Sequence, residues 1–302
     1  MSTVEPPTGT DVTAADGSGS DGTNGQPPVG SSPRPTYAGP TAIPYAAAVR
    51  YLWGDDEAGR VSDWIYASTD LIHMLVYALP AGGACLHSET YRTVFGADVT
   101  YFVLQGTLAL ANPRTGEVRV AEQGEAILFR RDTWHHIFAH STEQLRVLEF
   151  FAPPPSTGTS RKYAQQLPYL DAWHYTDDSL LGRWPPPEQP VSLHLRGAQD
   201  RLWRREGDAL VGVLVSTEHL TVATLSLLPG QKSDVRTRGG DECLYVVEGV
   251  LRVHTPDSEG SGYVELGPGD GFYCPRGTAH QYYNIESAPV QAVVGVAPTW
   301  AA

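Results

Sequence analysis

The sequence repeats itself, and the repeat limits the fold more than any other feature. Leu79–Pro80 matches Leu228–Pro229. The run Tyr101, Phe102, Val103, Leu104, Gln105, Gly106 matches Leu244, Tyr245, Val246, Val247, Glu248, Gly249. Gly124, Phe129 and His135 return at the same spacing as Gly269, Cys274 and His280. A unit used twice in this way predicts two similar domains in one chain.

Each unit reads as strands. Leu71–Leu79, Thr100–Leu110, Glu125–Phe129 and Leu145–Phe151 are short, apolar and rich in Val, Leu, Phe and Tyr. Gly, Pro or Asn stands between them, which is strand–turn–strand chemistry. The rhythm resumes at Ala209–Val215, Leu220–Leu228, Cys243–Val253, Gly271–Cys274 and Val290–Val296. The expected fold class is therefore all-β, with two barrels or sandwiches in tandem. Residues 1–40 are expected to be a disordered tail. Gly, Pro, Ser and Thr dominate there, with too little apolar surface to offset the entropy of ordering. The first barrel is placed at 45–152, a proline-rich linker at 153–200 and the second barrel at 201–300. A short helix within Tyr163–Asp171 is expected in the linker.

The chain holds 34 acidic and 21 basic residues, a net charge of −13. That balance argues against a nucleic-acid partner. The longest apolar runs, such as Met74–Leu79, fall far short of the ~18 residues that span a bilayer, so no membrane segment is expected. Cys85, Cys243 and Cys274 form no CxxC and leave an odd count, which fits a reducing, cytoplasmic setting. No basic stretch followed by an apolar one opens the chain, so no secretion signal is read.

The second unit carries a motif. Gly230 is followed by Arg236, Arg238, Glu242 and Gly249; later come Gly269, Pro275, Gly277, His280 and Asn284. These spacings resemble the two signatures of the cupin superfamily, G-x5-H-x-H-x3–4-E-x6-G and G-x5-P-x-G-x2-H-x3-N. The second signature matches at every position. The resemblance covers about 65–152 and 205–300. It implies a bicupin, two double-sheet jelly-roll barrels with a site inside the mouth.

In that family the histidines and the glutamate hold a divalent metal. Residues i and i+2 of a strand share a face, so an H-x-H pair aims two imidazoles inward. Here the pair is Arg236 and Arg238, and guanidiniums repel a metal. The second barrel is therefore expected to be metal-free. One reading has Arg236 and Arg238, with Glu242 and His280, binding an anionic group of a substrate. The other has Glu242 pairing with one arginine and closing the pocket.

In the first unit, seven residues on from Pro80 is His87, as Arg236 is seven on from Pro229. His87 and Glu89 thus occupy the H-x-H positions, and His135 the motif-two histidine. Val99 falls at the glutamate position, with Asp98 beside it as a candidate fourth ligand. Two histidines and a carboxylate suit Fe(II) first, with Mn, Ni or Zn as alternatives. The plainer reading leaves His87 and Glu89 as hydrogen-bonded polar residues at the rim. His136, next to His135, is expected to face away as a packing residue. Trp134, Phe129 and Phe102 are read as core or pocket wall. Tyr245, Tyr273, Tyr282 and Tyr283 are candidates to line the second pocket, and His73 is given no role.

Two function classes follow from the resemblance. The first is a metal-dependent enzyme acting on a small polar metabolite, a dioxygenase-type oxidoreductase before an isomerase-type Lewis-acid enzyme. The second is a non-catalytic bicupin that binds a sugar or organic acid. Family habit favours a homodimer, while packing of the two barrels against each other would allow a monomer.

Overall fold

The apolar alternation of the sequence becomes antiparallel strands that bury one face inside a barrel and the other between barrels. The computed structural model describes residues 32–153, 160–178, 182, 191–256 and 262–301. Expectations for 1–31 and for most of the proline-rich stretch around Pro185–Pro187 lie outside the described residues.

Strand β1 (Thr41–Ile43) precedes the first barrel. That barrel contains β2 (Val49–Asp55), β3 (Gly59–Ser68), β4 (His73–Leu79), β5 (Ala84–Cys85), β6 (Asp98–Gln105), β7 (Leu108–Ala111), β8 (Val118–Ala121), β9 (Ala126–Phe129), β10 (His136–Ala139) and β11 (Leu145–Ala152). A helix, α1 (Ser160–Gln165), and β12 (His194–Arg196) follow in the linker. The helix starts three residues ahead of the span expected for it. The second barrel contains β13 (Leu202–Glu206), β14 (Ala209–Ser216), β15 (Thr221–Leu227), β16 (Asp241–Glu248), β17 (Leu251–His254), β18 (Tyr263–Leu266), β19 (Gly271–Cys274), β20 (Gln281–Tyr283) and β21 (Val290–Ala297).

Each barrel has one large and one small sheet. In the first, the order β12-β9-β6-β11-β4-β3-β2 faces β5-β10-β7-β8. In the second, β1-β19-β16-β21-β15-β14-β13 faces β18-β17-β20. The strand that precedes each barrel pairs with the other one. Thr41 lies opposite Tyr273, and His194 lies opposite Leu128. The double-sheet jelly-roll architecture expected from the motifs is thus present twice, with one strand exchanged in each direction.

The two large sheets pack face to face. Tyr66, Met74, Phe150, Leu214, Tyr245 and Val293 share one buried apolar cluster between them. Gly295 is required there, because a Cβ would collide with the Phe150 ring. Tyr66 donates to the Gly269 carbonyl at 2.6 Å, and Thr69 Oγ1 donates to Asp241 Oδ2 at 2.9 Å. The pseudo-dimer interface therefore lies inside one chain.

The expectation of a tail disordered to residue 40 needs correction from residue 32 onward. Arg34 donates to the Thr69 carbonyl and to Asp70, and the Pro35 carbonyl accepts from Ser68 N–H. These bonds hold the arm against the mouth of the first barrel. Among the described residues no helix is long and apolar enough to cross a membrane.

Candidate functional site

The interior of the first barrel is not filled by its apolar side chains. Val61, Ile65, Leu75, Leu79, Val99, Val103 and Val147 form the inward faces of β3, β4, β6 and β11. At the same inward period stand Asp63, Tyr77, Tyr101 and Glu149, all buried. The strand register sets them side by side. Asp63 is opposite Tyr77, and Glu149 is opposite both Leu75 and Tyr101. They line a cavity of about 100 Å3 together with His73, Cys85, Thr93, His135 and the arm residues Ser32 to Arg34.

Several polar atoms on this wall have no hydrogen-bond partner: Glu149 Oε1, Tyr77 Oη and Thr93 Oγ1. Burial pushes the Asp63 carboxyl well above its ordinary pKa. Burial, and then the nearby Asp63, does the same to Glu149. Both are thereby favoured in the protonated form. Burial lowers His73 to about 3 and His135 to about 4, so both imidazoles are neutral.

His135 enters the cavity with its lone pair already engaged. Its Nδ1–H donates to the Thr133 carbonyl at 3.3 Å, and its Nε2 accepts from the Tyr101 hydroxyl at 3.0 Å. His87 faces elsewhere. Its Nε2 lies 2.5 Å from the Leu170 carbonyl, which can only accept, so that nitrogen carries the proton. Nδ1 then accepts from His136 Nε2 at 2.6 Å, and His136 Nδ1 accepts from the Tyr175 hydroxyl at 2.8 Å. Burial is the main cause that depresses the basicity of both rings, His136 to about 3. His87 and His136 form a neutral relay that ties the linker to the barrel rim, where Trp134 and Trp173 pack on His87.

The sequence-derived donor set is therefore not assembled. Glu89 is exposed, and its backbone carbonyl accepts from Gln165. Asp98 is buried but paired with Arg130 at 2.7 Å. Both nitrogens of His87 are occupied by a linker carbonyl and a second imidazole. No cluster of three or more His, Cys, Asp or Glu side chains among the described residues has the geometry to hold a metal ion. The residues His87, Glu89, His135 and Asp98 do not fit one as placed. His136, read as a packing residue, is instead the partner that draws His87 away.

The second barrel brings together three of the four residues singled out there. Arg238 donates Nε to Glu242 at 2.9 Å and two further bonds to Glu206, at 3.2 and 2.8 Å. Its guanidinium stacks on Trp300, 4.0 Å from the ring centre. His280 Nε2 lies 3.3 Å from Glu242 Oε1, and the Tyr282 hydroxyl donates to the same oxygen. Burial opposes ionisation of Glu242, but His280 and Arg238 outweigh it and bring the carboxyl to about 2. Burial likewise opposes charge on His280, and Glu242 outweighs it, raising the imidazole to about 11. Two cations and two carboxylates thus neutralise each other and close the pocket. Arg236 is not part of the quartet. It pairs with Asp234 at 2.9 Å and is partly exposed on an outer cleft of about 600 Å3, which Arg204, Arg205 and Glu218 line together with Glu206 and Arg238 of the quartet.

Sequence reasoning missed Asp63, His73, Tyr77 and Glu149. A signal was present: each shares the inward period-two face of an apolar strand, and a carboxyl at such a position has no reason to be there for packing.

Two tandem jelly-roll barrels, one with a polar interior cavity and one sealed, define the class. The cupin-domain family model matches residues 96–151 and 223–296. Each barrel thus carries a cupin-domain match, an arrangement consistent with a bicupin. Solved structures share the fold at low identity. A protein described as glyoxylate-induced from Pseudomonas aeruginosa has a TM-score of 0.61 at 13% identity, covering 90% of this chain and 93% of that one. The Ylba protein of E. coli has a TM-score of 0.60 at 10% identity, covering 87% and 93%. The Lactobacillus farciminis oxalate decarboxylase has a TM-score of 0.60 at 12% identity, covering 87% and 86%. No curated protein matches the sequence.

Proposed function

We propose that this bicupin binds a small polar organic molecule inside its first barrel, with the second barrel as a structural partner. The observation that carries the reading is the first-barrel cavity, whose buried wall holds Glu149 Oε1, Tyr77 Oη and Thr93 Oγ1 unpaired. A buried polar atom without a partner costs about 1–3 kcal/mol. A bound molecule that pairs with several of them recovers that cost, so such an arrangement suits a ligand better than an empty core. Any proton transfer at the site would fall to Asp63 and Glu149, the carboxyls that burial keeps protonated.

Metal-dependent chemistry, dioxygenase-type or isomerase-type, draws its support from the cupin-domain match in each barrel. What it lacks is a donor set, since His87, Glu89 and His135 are each committed elsewhere or exposed. A cytoplasmic location belongs to the same proposal and is supported by three unpaired, buried cysteines.

A second reading rests on the outer cleft beside the second barrel. Arg204, Arg205, Arg236 and Arg238 line it against Glu206 and Glu218, and that excess of cations suits an anionic group.

The test is a thermal-shift and ligand-observed NMR screen of small acids, polyols and amines. Hits are expected that weaken in Glu149→Gln and Tyr77→Phe proteins and persist in Arg236→Ala. Hits that respond only to Arg236→Ala would move the site to the outer cleft. An absence of hits against the folded wild type would remove the first-barrel reading.

A further inference from the structure

The first-barrel cavity has a charge character that its shape alone does not reveal. Asp63 reaches it from β3 and Glu149 from β11, on either side of Tyr77 of β4. Neither carboxyl has an ion-pair partner among the described residues, although Asp98, Glu117, Glu206 and Glu242 all have one. A buried carboxyl is ordinarily paired or held by hydrogen bonds. Here Glu149 is 6% exposed and its Oε1 has no hydrogen-bond partner.

The other groups on the wall do not supply the missing charge. Arg34 is the one arginine or lysine among the described residues that lines the cavity, and its Nη2 is engaged by the Thr69 carbonyl and Asp70. His135 has both ring nitrogens occupied and is neutral. His73 stacks on Phe151 at the same end and is neutral as well. The Tyr101 hydroxyl donates to His135, and the Tyr77 hydroxyl is unpaired. The rest of the wall is aromatic or aliphatic: Trp53, Val61, Leu75, Phe95, Ile137 and Phe151.

We infer that the cavity takes a small organic cation, a primary ammonium on a short chain, with the ammonium between Asp63 and Glu149. This rests on the first-barrel binding reading and adds the ligand's chemical class. An ammonium brings three donors and a positive charge to two carboxyls that lack both. The apolar and aromatic wall then holds the short chain, and the rings beside it attract a cation through their faces. Burial raises both carboxyls, and the nearby Asp63 raises Glu149 further, so both are favoured in the protonated form in the absence of such a partner, which is consistent with this assignment. An anionic ligand would meet two acidic groups and no uncommitted cation in the cavity.

The experiment compares three molecules of similar size: ethanolamine, ethylene glycol and glycolate. Each is titrated calorimetrically into the full chain and into Glu149→Gln, Asp63→Asn and Tyr77→Phe proteins, whose folding is checked by circular dichroism. The surface variant Arg252→Gln serves as control. Ethanolamine is expected to bind at least tenfold more tightly than ethylene glycol. Its affinity should fall at least tenfold in Glu149→Gln and in Asp63→Asn, less in Tyr77→Phe, and not in Arg252→Gln. Equal or tighter binding of the glycol or glycolate, still sensitive to Glu149→Gln, would overturn the cation assignment and leave the binding site standing. Binding of all three that ignores Glu149→Gln, Asp63→Asn and Tyr77→Phe, or no binding of any, would overturn both.

Discussion

His87 Nδ1 lies 2.6 Å from His136 Nε2, while the neighbouring His135 turns into the barrel toward Tyr101. The two imidazoles that the motif would bring to one metal thus face different partners. Protein grown in medium supplemented with Fe, Mn, Ni and Zn should carry only trace metal after purification. Elemental analysis of wild type and a His87→Ala/His135→Ala double variant should give the same result. A stoichiometric metal present in the first and lost in the second would restore the donor set read from sequence.

Arg238 joins Glu206 and Glu242 in a buried quartet with His280. Replacing it by Met leaves two buried carboxylates against one imidazolium. The expected loss of stability is on the order of 3–5 kcal/mol, read by chemical denaturation. Losing less than about 1 kcal/mol would mean that water reaches these groups and the pocket is not closed.

The same quartet has a pH signature. Glu242 falls from an ordinary 4.5 to about 2 on folding, so its contribution is full above 4.5 and is lost as pH drops toward 2. His280 rises from 6.5 to about 11, so its contribution is full below 6.5 and declines as pH climbs toward 11. A Glu242→Gln/His280→Gln double variant should therefore lose most stability relative to wild type between about pH 4.5 and 6.5. A stability difference independent of pH from 3 to 10, as ~7 units should span both changes, would contradict the charged pair.

Glu149 has the opposite sign. Its carboxyl is raised by burial and by Asp63, so the folded state holds a proton that the unfolded chain releases above about 4.5. The contribution to stability falls as pH rises. Glu149→Gln should melt higher than wild type at pH 8, by roughly 1 kcal/mol or more in stability, with the gap narrowing toward pH 4. A variant less stable than wild type at pH 8 would show that Glu149 is satisfied by something other than a ligand.

Arg236 pairs with Asp234 on the outer cleft rather than facing the barrel interior. If the cleft receives an anionic group, Arg236→Ala should weaken binding of a carboxylate or phosphate probe in a calorimetric titration. An unchanged affinity removes Arg236 from that role.

Much of the architecture was readable from short-range pattern. The turn glycines and the period-two runs specified strands, and the repeat specified two barrels. The exchange of β1 and β12 was not readable, because Thr41–Ile43 and His194–Arg196 are too short to announce a sheet and their partners are distant in sequence. At the sites, the spacing placed His87 at the position of Arg236, but the His135 backbone bonds to Thr93 where that of its counterpart His280 bonds to Arg236. Side-chain direction decided the rest. His87 is claimed by a linker carbonyl that no local pattern connects to it. Of the two readings offered for Glu242, the salt-linked one agrees with the geometry, because Arg238 alone turns inward. Asp63 and Glu149 stand out by strand alternation but belong to no motif.

The exchange of strands has a consequence for how such a chain can be divided. Each barrel borrows its edge from residues that precede its neighbour, as two people might each hold the other's sleeve. A cut in the linker before β12 gives one fragment that carries β1 but lacks the sheet it completes, and another that carries β12 without its sheet. The fragments keep their missing pieces only by finding each other. Inheritance of one barrel without its companion would thus leave an open β edge, a surface prone to unwanted pairing.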